Sequence, residues 1–218
     1  MRDNHPRNRQ AQKRERKLER AKASRQGLPF LLIVCEGEET EPNYLRGLCE
    51  ARRINLAGVD IKPGTGETDA RSLVNKAIKL FKTKDYDRVF VVLDDDGQPL
   101  AEARHLAGKP LKTATGDRIQ IELISSRPSF EFWLLLHFEY SSRPYTSAAA
   151  VIDHLLAHLT DYNKASRRIF QQVERGLENA LANAERLKRE LAASGGNNPN
   201  TEVHSLVVEL LNRVRESK

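Results

Sequence analysis

From residue 28 to 124, short apolar runs alternate with apolar residues at helical spacing, and helical spacing alone continues thereafter. Residues 31–34 (LLIV) and 89–93 (VFVVL) are unbroken apolar runs, each followed by an acidic turn that contains Gly. Runs of that length, bounded by turns, read as strands buried on both faces, as in a parallel sheet. The pattern predicts strands over 28–35, 56–61, 89–93 and 118–124. The last of these, RIQIELI, alternates apolar with polar, which predicts one exposed face, as at a sheet edge. Between the strands the spacing predicts helices over 41–52, 68–83 and 99–107. Tyr44, Leu45 and Leu48 form the apolar stripe of the first; Leu73, Val74, Ala77, Ile78 and Phe81 form that of the second. Thr40 and Thr68 are the expected N-caps, and Pro42 suits a first turn, where a missing N–H costs little. Strand alternating with helix from 28 to 124 is the signature of a parallel α/β sheet.

Residues 125–140 (SSRPSFEFWLLLHFEY) open a helical half. Pro128 and Ser129 start a helix whose Phe130, Trp133, Leu134 and His137 share a core-facing side. His137, among apolar neighbours, reads as a core histidine. Helical spacing continues over 146–159, 165–193 and 203–215. The run SGGNNPN at 194–200 separates the last two, with Thr201 as cap and Glu202 in the first turn. The expected organisation is a basic arm over 1–27, an α/β core over 28–145 and a helical extension over 146–218 packed on that core. There is no internal repeat and no zinc-type Cys/His spacing.

Composition changes this picture in two places. The chain of 218 residues is long enough for one domain with a sizeable core. No apolar run approaches the ~20 residues of a membrane span, and the N-terminus is too polar for a secretory signal, so no membrane partner and a cytoplasmic location are expected. Two cysteines, Cys35 and Cys49, make no disulfide framework. The net charge of +6 is unevenly spread: residues 1–27 hold 10 Lys/Arg against 3 Asp/Glu, and the remainder holds 26 against 27. The body is therefore near neutral. Lys13, Arg14, Arg16 and Lys17 are candidate phosphate contacts within the arm, each such contact releasing counterions. The competing reading is a solubilising tail.

The candidate chemistry sits where the apolar runs end. Glu36 follows the first, and Asp94-Asp95-Asp96-Gly97 ends the second. In open α/β sheets, ligands bind at that edge. Adjacent carboxylates repel one another unless a cation or water screens them. Glu36, Asp94 and Asp96 gathered in one pocket would make a hard, oxygen-rich site suited to Mg²⁺ or Mn²⁺. The plain alternative is that DDDG is a solvated turn. Glu38 and Glu39 read as solvated turn residues. The loop KPGTGE at 62–67 lacks the Gly-Lys-Ser/Thr ending of a P-loop and reads as a connector. Glu131 is a carboxylate in an otherwise apolar helix, costly to bury unless paired or metal-bound.

A strand ending in Glu-Gly, then a strand ending in Asp-x-Asp, resembles the Toprim fold shared by topoisomerases, primases and several nuclease families. The segments CEGEETEPNYLRGL, VVLDDDGQ, SSRPSFEFWLLLHFE and NPNTEVHSLVVELL, in that order, resemble the RloB-like family, which is Toprim-related. The resemblance implies an α/β, Toprim-like (Rossmann-like), mostly parallel sheet flanked by helices, with a C-terminal helical extension. It also implies a Toprim-type metal site and a role in prokaryotic anti-phage defence. Such relatives are often encoded beside ATPases, which makes an ATPase an expected partner alongside nucleic acid. The resemblance places the start of the 128–140 helix on the same edge as Glu36 and Asp94, so Glu131 is expected to face the acidic site. The expected reaction is metal-dependent hydrolysis of phosphodiester bonds in DNA, tRNA or another RNA. Asp94 and Asp96 would hold the ion, and Glu36 would complete the site as ligand or general base. Glu131 would bind a second ion or order water, and Arg127 would neutralise a phosphate oxygen. Asp95 is one carboxylate more than a minimal Asp-x-Asp. Two other classes stay open. One is a nucleic-acid-binding or regulatory module whose catalysis is absent or partner-dependent. The other is a nucleotidyl-transfer enzyme such as a primase, against which the lack of a zinc ribbon and of an NTP loop counts. A topoisomerase would need a separate domain with a catalytic tyrosine.

Overall fold

All five side chains of strand β1 (Leu31–Cys35) are fully buried, because the strand lies inside a sheet covered by helices on both faces. The computed structural model describes residues 29–66, 69–97, 100–113 and 115–216. The arm with Lys13, Arg14, Arg16 and Lys17, and the expected cap Thr68, lie outside the described residues. After β1 come α1 (Thr40–Ala51), β2 (Val59–Lys62), α2 (Ala70–Phe81), β3 (Arg88–Asp94) and α3 (Ala101–Ala107). A small antiparallel pair follows, β4 (Leu111–Lys112) with β5 (Arg118–Ile119), then β6 (Ile121–Arg127) and α4 (Glu131–Leu135). The chain ends in α5 (Ala148–Leu156), α6 (Ile169–Val173), α7 (Leu177–Ser194), β7 (Asn200–Thr201) and α8 (Val203–Glu216). The main sheet has the order β2-β1-β3-β6-β7. Its first four strands are parallel, and β7 runs antiparallel to β6. This is the α/β, mostly parallel sheet flanked by helices, with C-terminal helices, that the sequence pattern and the resemblance led us to expect.

Strand periodicity divides the core into two layers. Leu31, Ile33 and Cys35 face α1 and the C-terminal helices, in a cluster with Tyr44, Leu48, Trp133, Phe170 and Leu206. Leu32 and Val34 face the other way, toward Leu73, Val74, Ala77 and Ala103 of α2 and α3. Helices α5 to α8 thus share one continuous core with α1 and α4.

Several elements differ from expectation. Thr40 is the first residue of α1 and not its cap; its hydroxyl donates to the Lys164 carbonyl at 3.1 Å. Asp69 caps α2, its Oδ1 accepting from the Ser72 N–H at 2.9 Å. The 118–124 strand is interrupted at Gln120, and β6 is not a full edge strand, because β7 pairs with Ser126 and Arg127. Its Glu122 is nevertheless exposed, as the alternation required. The 165–193 helix is broken into α6, a 3₁₀ turn (Glu174–Gly176) and α7. A Cβ on Gly176 would lie 2.1 Å from the His137 carbonyl oxygen, so the chain turns where it is pressed against that backbone. The helix expected from Pro128 shortens to α4, followed by buried turns. His137 is a core histidine: its ring nitrogens contact the Trp133 carbonyl at 3.0 Å and the Tyr44 hydroxyl at 3.1 Å. Burial pushes its pKa down to about 4.

Candidate metal centre

The strand ends that carry acid converge at the C-terminal edge of the sheet. The Glu36 N–H extends the β1–β3 ladder by donating to the Val92 carbonyl at 2.9 Å. Glu36 Oε2 then turns back to accept from the Asp94 N–H at 2.9 Å. Asp94 closes β3, and its Oδ1 accepts from the Phe130 N–H at 2.8 Å, which ties the strand end to the start of α4. Glu131, the first residue of α4, is only 3% exposed. Its Oε2 accepts from the Ser129 hydroxyl at 2.6 Å, and its Oε1 accepts from the Tyr162 hydroxyl at 2.8 Å and pairs with Lys164 Nζ at 3.1 Å.

A further carboxylate, which the sequence reading did not select, completes the group. Glu41 lies in the first turn of α1, is 5% exposed, and accepts from the Gly37 N–H at 3.1 Å. The available signal was its place: a Glu in the first helical turn directly after an acidic strand end is carried back over that end. Glu36, Glu41, Asp94 and Glu131 line one cleft of about 320 Å³, with Lys164 at its wall.

The electrostatics follow from this crowding. Asp94 is pushed well above the usual carboxylate range, first by burial and then by Glu41, Glu131 and Glu36. Glu41 is raised by burial and by Glu131 and Glu36. Glu36 is raised by burial, with Asp96 adding to the shift and the Asp94 N–H opposing it. Glu131 goes the other way: burial would raise it, but the Ser129 hydroxyl, Lys164 and Tyr162 outweigh that and lower it. Three carboxylates therefore resist carrying charge together, while a fourth is held ionised.

The other expected residues take distinct places. Asp96 is exposed and lines an adjoining hollow that also reaches Glu36 and Asp94. Arg127 Nη2 donates to Asp95 Oδ1 at 2.7 Å, so these two side chains are engaged with each other. Glu38 and Glu39 are exposed turn residues. Lys164 and Tyr162, not singled out from the sequence, come from the loop between α5 and α6.

The carboxylates of the cleft offer only oxygen, and a divalent cation drawn among them would relieve their raised pKa values, the chemistry a hard ion would meet there. Fold and site together define an α/β protein with a partly buried carboxylate centre at the C-terminal edge of a mostly parallel sheet. A family model described as RloB-like protein matches residues 31–210, and the chain belongs to the RloB-like family. No curated protein and no solved structure matches it. Among the described residues, no helix is long and apolar enough to cross a membrane.

Proposed function

We propose that the protein is a metal-dependent, Toprim-like nuclease that hydrolyses phosphodiester bonds in nucleic acid, RNA (tRNA included) or DNA, in the cytoplasm and in anti-phage defence. The observation that carries this reading is the convergence of Glu36, Glu41, Asp94 and Glu131 on one cleft with three of the four pushed toward the protonated form. Mg²⁺ or Mn²⁺ is the expected ion, with Asp94 and Glu36 as its principal ligands; when bound, such an ion supplies an activated water and neutralises charge on phosphate oxygens. Asp96, at the adjoining hollow, supports the ion through water or holds a second one. Glu41 lines the same cleft, and its raised pKa suits a general base that takes a proton from water. Lys164, whose side chain is 60% exposed beside Glu131, is the cation placed to meet an incoming phosphate, a role the sequence assigned to Arg127.

A second reading has an observation behind it. Arg127 is already engaged by Asp95, and Lys164 by Glu131, so these two cations near the site have internal carboxylate partners. A partner, such as an ATPase, that draws them away would switch the site on, and without it the protein would act as a nucleic-acid-binding module.

The test is incubation of labelled DNA and total tRNA with the purified chain in Mg²⁺, in Mn²⁺ and in chelator, beside Glu36→Ala and Asp94→Ala. Cutting that needs metal and is lost in both variants is the expected result, and it identifies the substrate. Nucleic acid bound but left intact in every metal condition would replace the nuclease reading with the partner-activated module.

A further inference from the structure

A second cluster of metal-ligating side chains lies apart from the acidic cleft and contributes nothing to its lining. We propose that Glu139, His154 and His158 bind one borderline transition ion, Zn²⁺ foremost. His154 belongs to α5, and His158 lies four residues on, just past its end, a His-x3-His spacing that the sequence reading passed over, so the two rings leave the same side of one turn. Glu139 arrives from the segment after α4. One ligand atom from each residue lies within 4.8 Å of the others. His154 Nε2 is 2.9 Å from Glu139 Oε1, and His158 Nε2 is 3.1 Å from Glu139 Oε2. Around Zn²⁺, with bonds of about 2.0–2.1 Å, tetrahedral ligand atoms stand roughly 3.3 Å apart. Each separation, to a different oxygen of Glu139, is within about half an ångström of that edge, so one oxygen would serve both rings after a small turn of the carboxylate.

Independent features hold the two rings in the required pose. The Tyr145 hydroxyl lies 2.6 Å from His154 Nδ1, and Tyr145 is itself buried and within 3.2 Å of the Ser141 hydroxyl. A partner on Nδ1 leaves Nε2 directed at the cluster, the arrangement that orients metal-bound histidines elsewhere. The Phe138 ring stacks on His158 at 5.4 Å and 11°. The side chains of His154, His158 and Glu139 are 20%, 30% and 36% exposed, so an ion can enter and keep a water as its fourth ligand. Two imidazoles and one carboxylate form a softer set than the four carboxylates of the cleft, and so select a different metal. The ion would staple the segment after α4 to α5. This is separate from the nuclease reading and stands or falls without it. The competing account is a metal-free cluster of His–Glu pairs.

The experiment uses the untagged full chain, stripped with chelator, in an Asp94→Asn background so that the acidic cleft contributes less. Zn²⁺ is titrated by calorimetry, and Co²⁺ is followed by its visible absorption as a report on nitrogen ligation. The expected result is one Zn²⁺ per chain, a tetrahedral Co²⁺ spectrum, and affinity reduced about tenfold or more in His158→Ala and in the isosteric Glu139→Gln. Circular dichroism checks that both variants fold, and Zn²⁺ should raise the melting temperature of the parent but not of either variant. Equal Zn²⁺ affinity in parent and variants, or no Zn²⁺ bound by the parent, would overturn the proposal.

Discussion

Glu41 shows how one side chain changes the chemistry of its neighbours. Its carboxylate adds to the repulsion on Asp94, while its own charge is opposed by burial and by Glu131 and Glu36. Its place in the first turn of α1, whereas the exposed Glu38 and Glu39 lie in the turn before it, was the signal available; the rotation of that turn carries it over the strand end. Glu36, Asp94 and Glu131 were legible because each sits at an element end. Lys164 and Tyr162 were not, since they reach the cleft from a loop more than a hundred residues beyond Thr40, which anchors to it. His137 gives a prediction at this scale. Its folded pKa of about 4 lies below the ordinary value of 6.5, so the unfolded chain binds the extra proton first. Its contribution to stability is therefore present above pH 6.5 and lost as pH falls toward 4, to an extent on the order of 3 kcal/mol. The raised carboxylates of the cleft act with the opposite sign, gaining stability as pH falls through their folded pKa values. Urea unfolding of wild type and His137→Gln, compared from neutral pH to pH 4, isolates the histidine: the gap between them should narrow on acidification. A gap constant with pH would refute it.

Among the elements, the loop after β2 does more than connect. A Cβ on Gly64 would stand 1.8 Å from the Glu36 carbonyl oxygen, and the Gly64 N–H donates to the Gly37 carbonyl at 3.0 Å. Lys76 Nζ fixes the loop through the Pro63 carbonyl at 3.0 Å and the Thr65 hydroxyl at 2.9 Å. The glycine therefore lets this loop press on the turn that aims Glu36. Gly64→Ala should cost about 1–3 kcal/mol by overpacking. On the nuclease reading it should also lower metal-dependent cleavage on the order of a hundredfold through misplacement of Glu36. Thermal melting and cleavage rates check both; full activity in a folded Gly64→Ala chain would show that the contact does not position the carboxylate. The two central strands were readable because short apolar runs bounded by turns read as buried strands. The broken 165–193 helix was not, since what stops it is the His137 backbone, distant in sequence. The two-residue β7 was unreadable for a similar reason: it is defined by its pairing with the end of β6.

For the whole molecule, charge and topology divide the labour. The parallel order β2-β1-β3-β6 brings Glu36 and Asp94 to one edge on adjacent strands, with α4 starting beyond β6. The body supplies acid there, while the excess of positive charge resides in residues 1–27. An acidic cleft repels a polyanion, so capture of nucleic acid falls to the arm if the nuclease reading holds. Deleting 1–27 should weaken binding and flatten its salt dependence, each lost phosphate contact removing about 0.9 from the slope of log affinity against log salt on duplex DNA. An unchanged slope would place the phosphate contacts on the folded body. This division was visible in the sequence as a charge asymmetry, whereas the shared core of α1 with α4 to α8 emerges only from tertiary packing.

The claim on which the rest depends is that the clustered carboxylates hold a divalent ion. The most direct measurement is Mn²⁺ binding, read as loss of the free-ion paramagnetic resonance signal, for wild type and Asp94→Asn side by side. The His154–His158 cluster is common to both chains, so the difference reports on the cleft alone. The account predicts that wild type binds at least one Mn²⁺ more than the variant, and that Mg²⁺ displaces it. Identical Mn²⁺ binding by the two chains would contradict it.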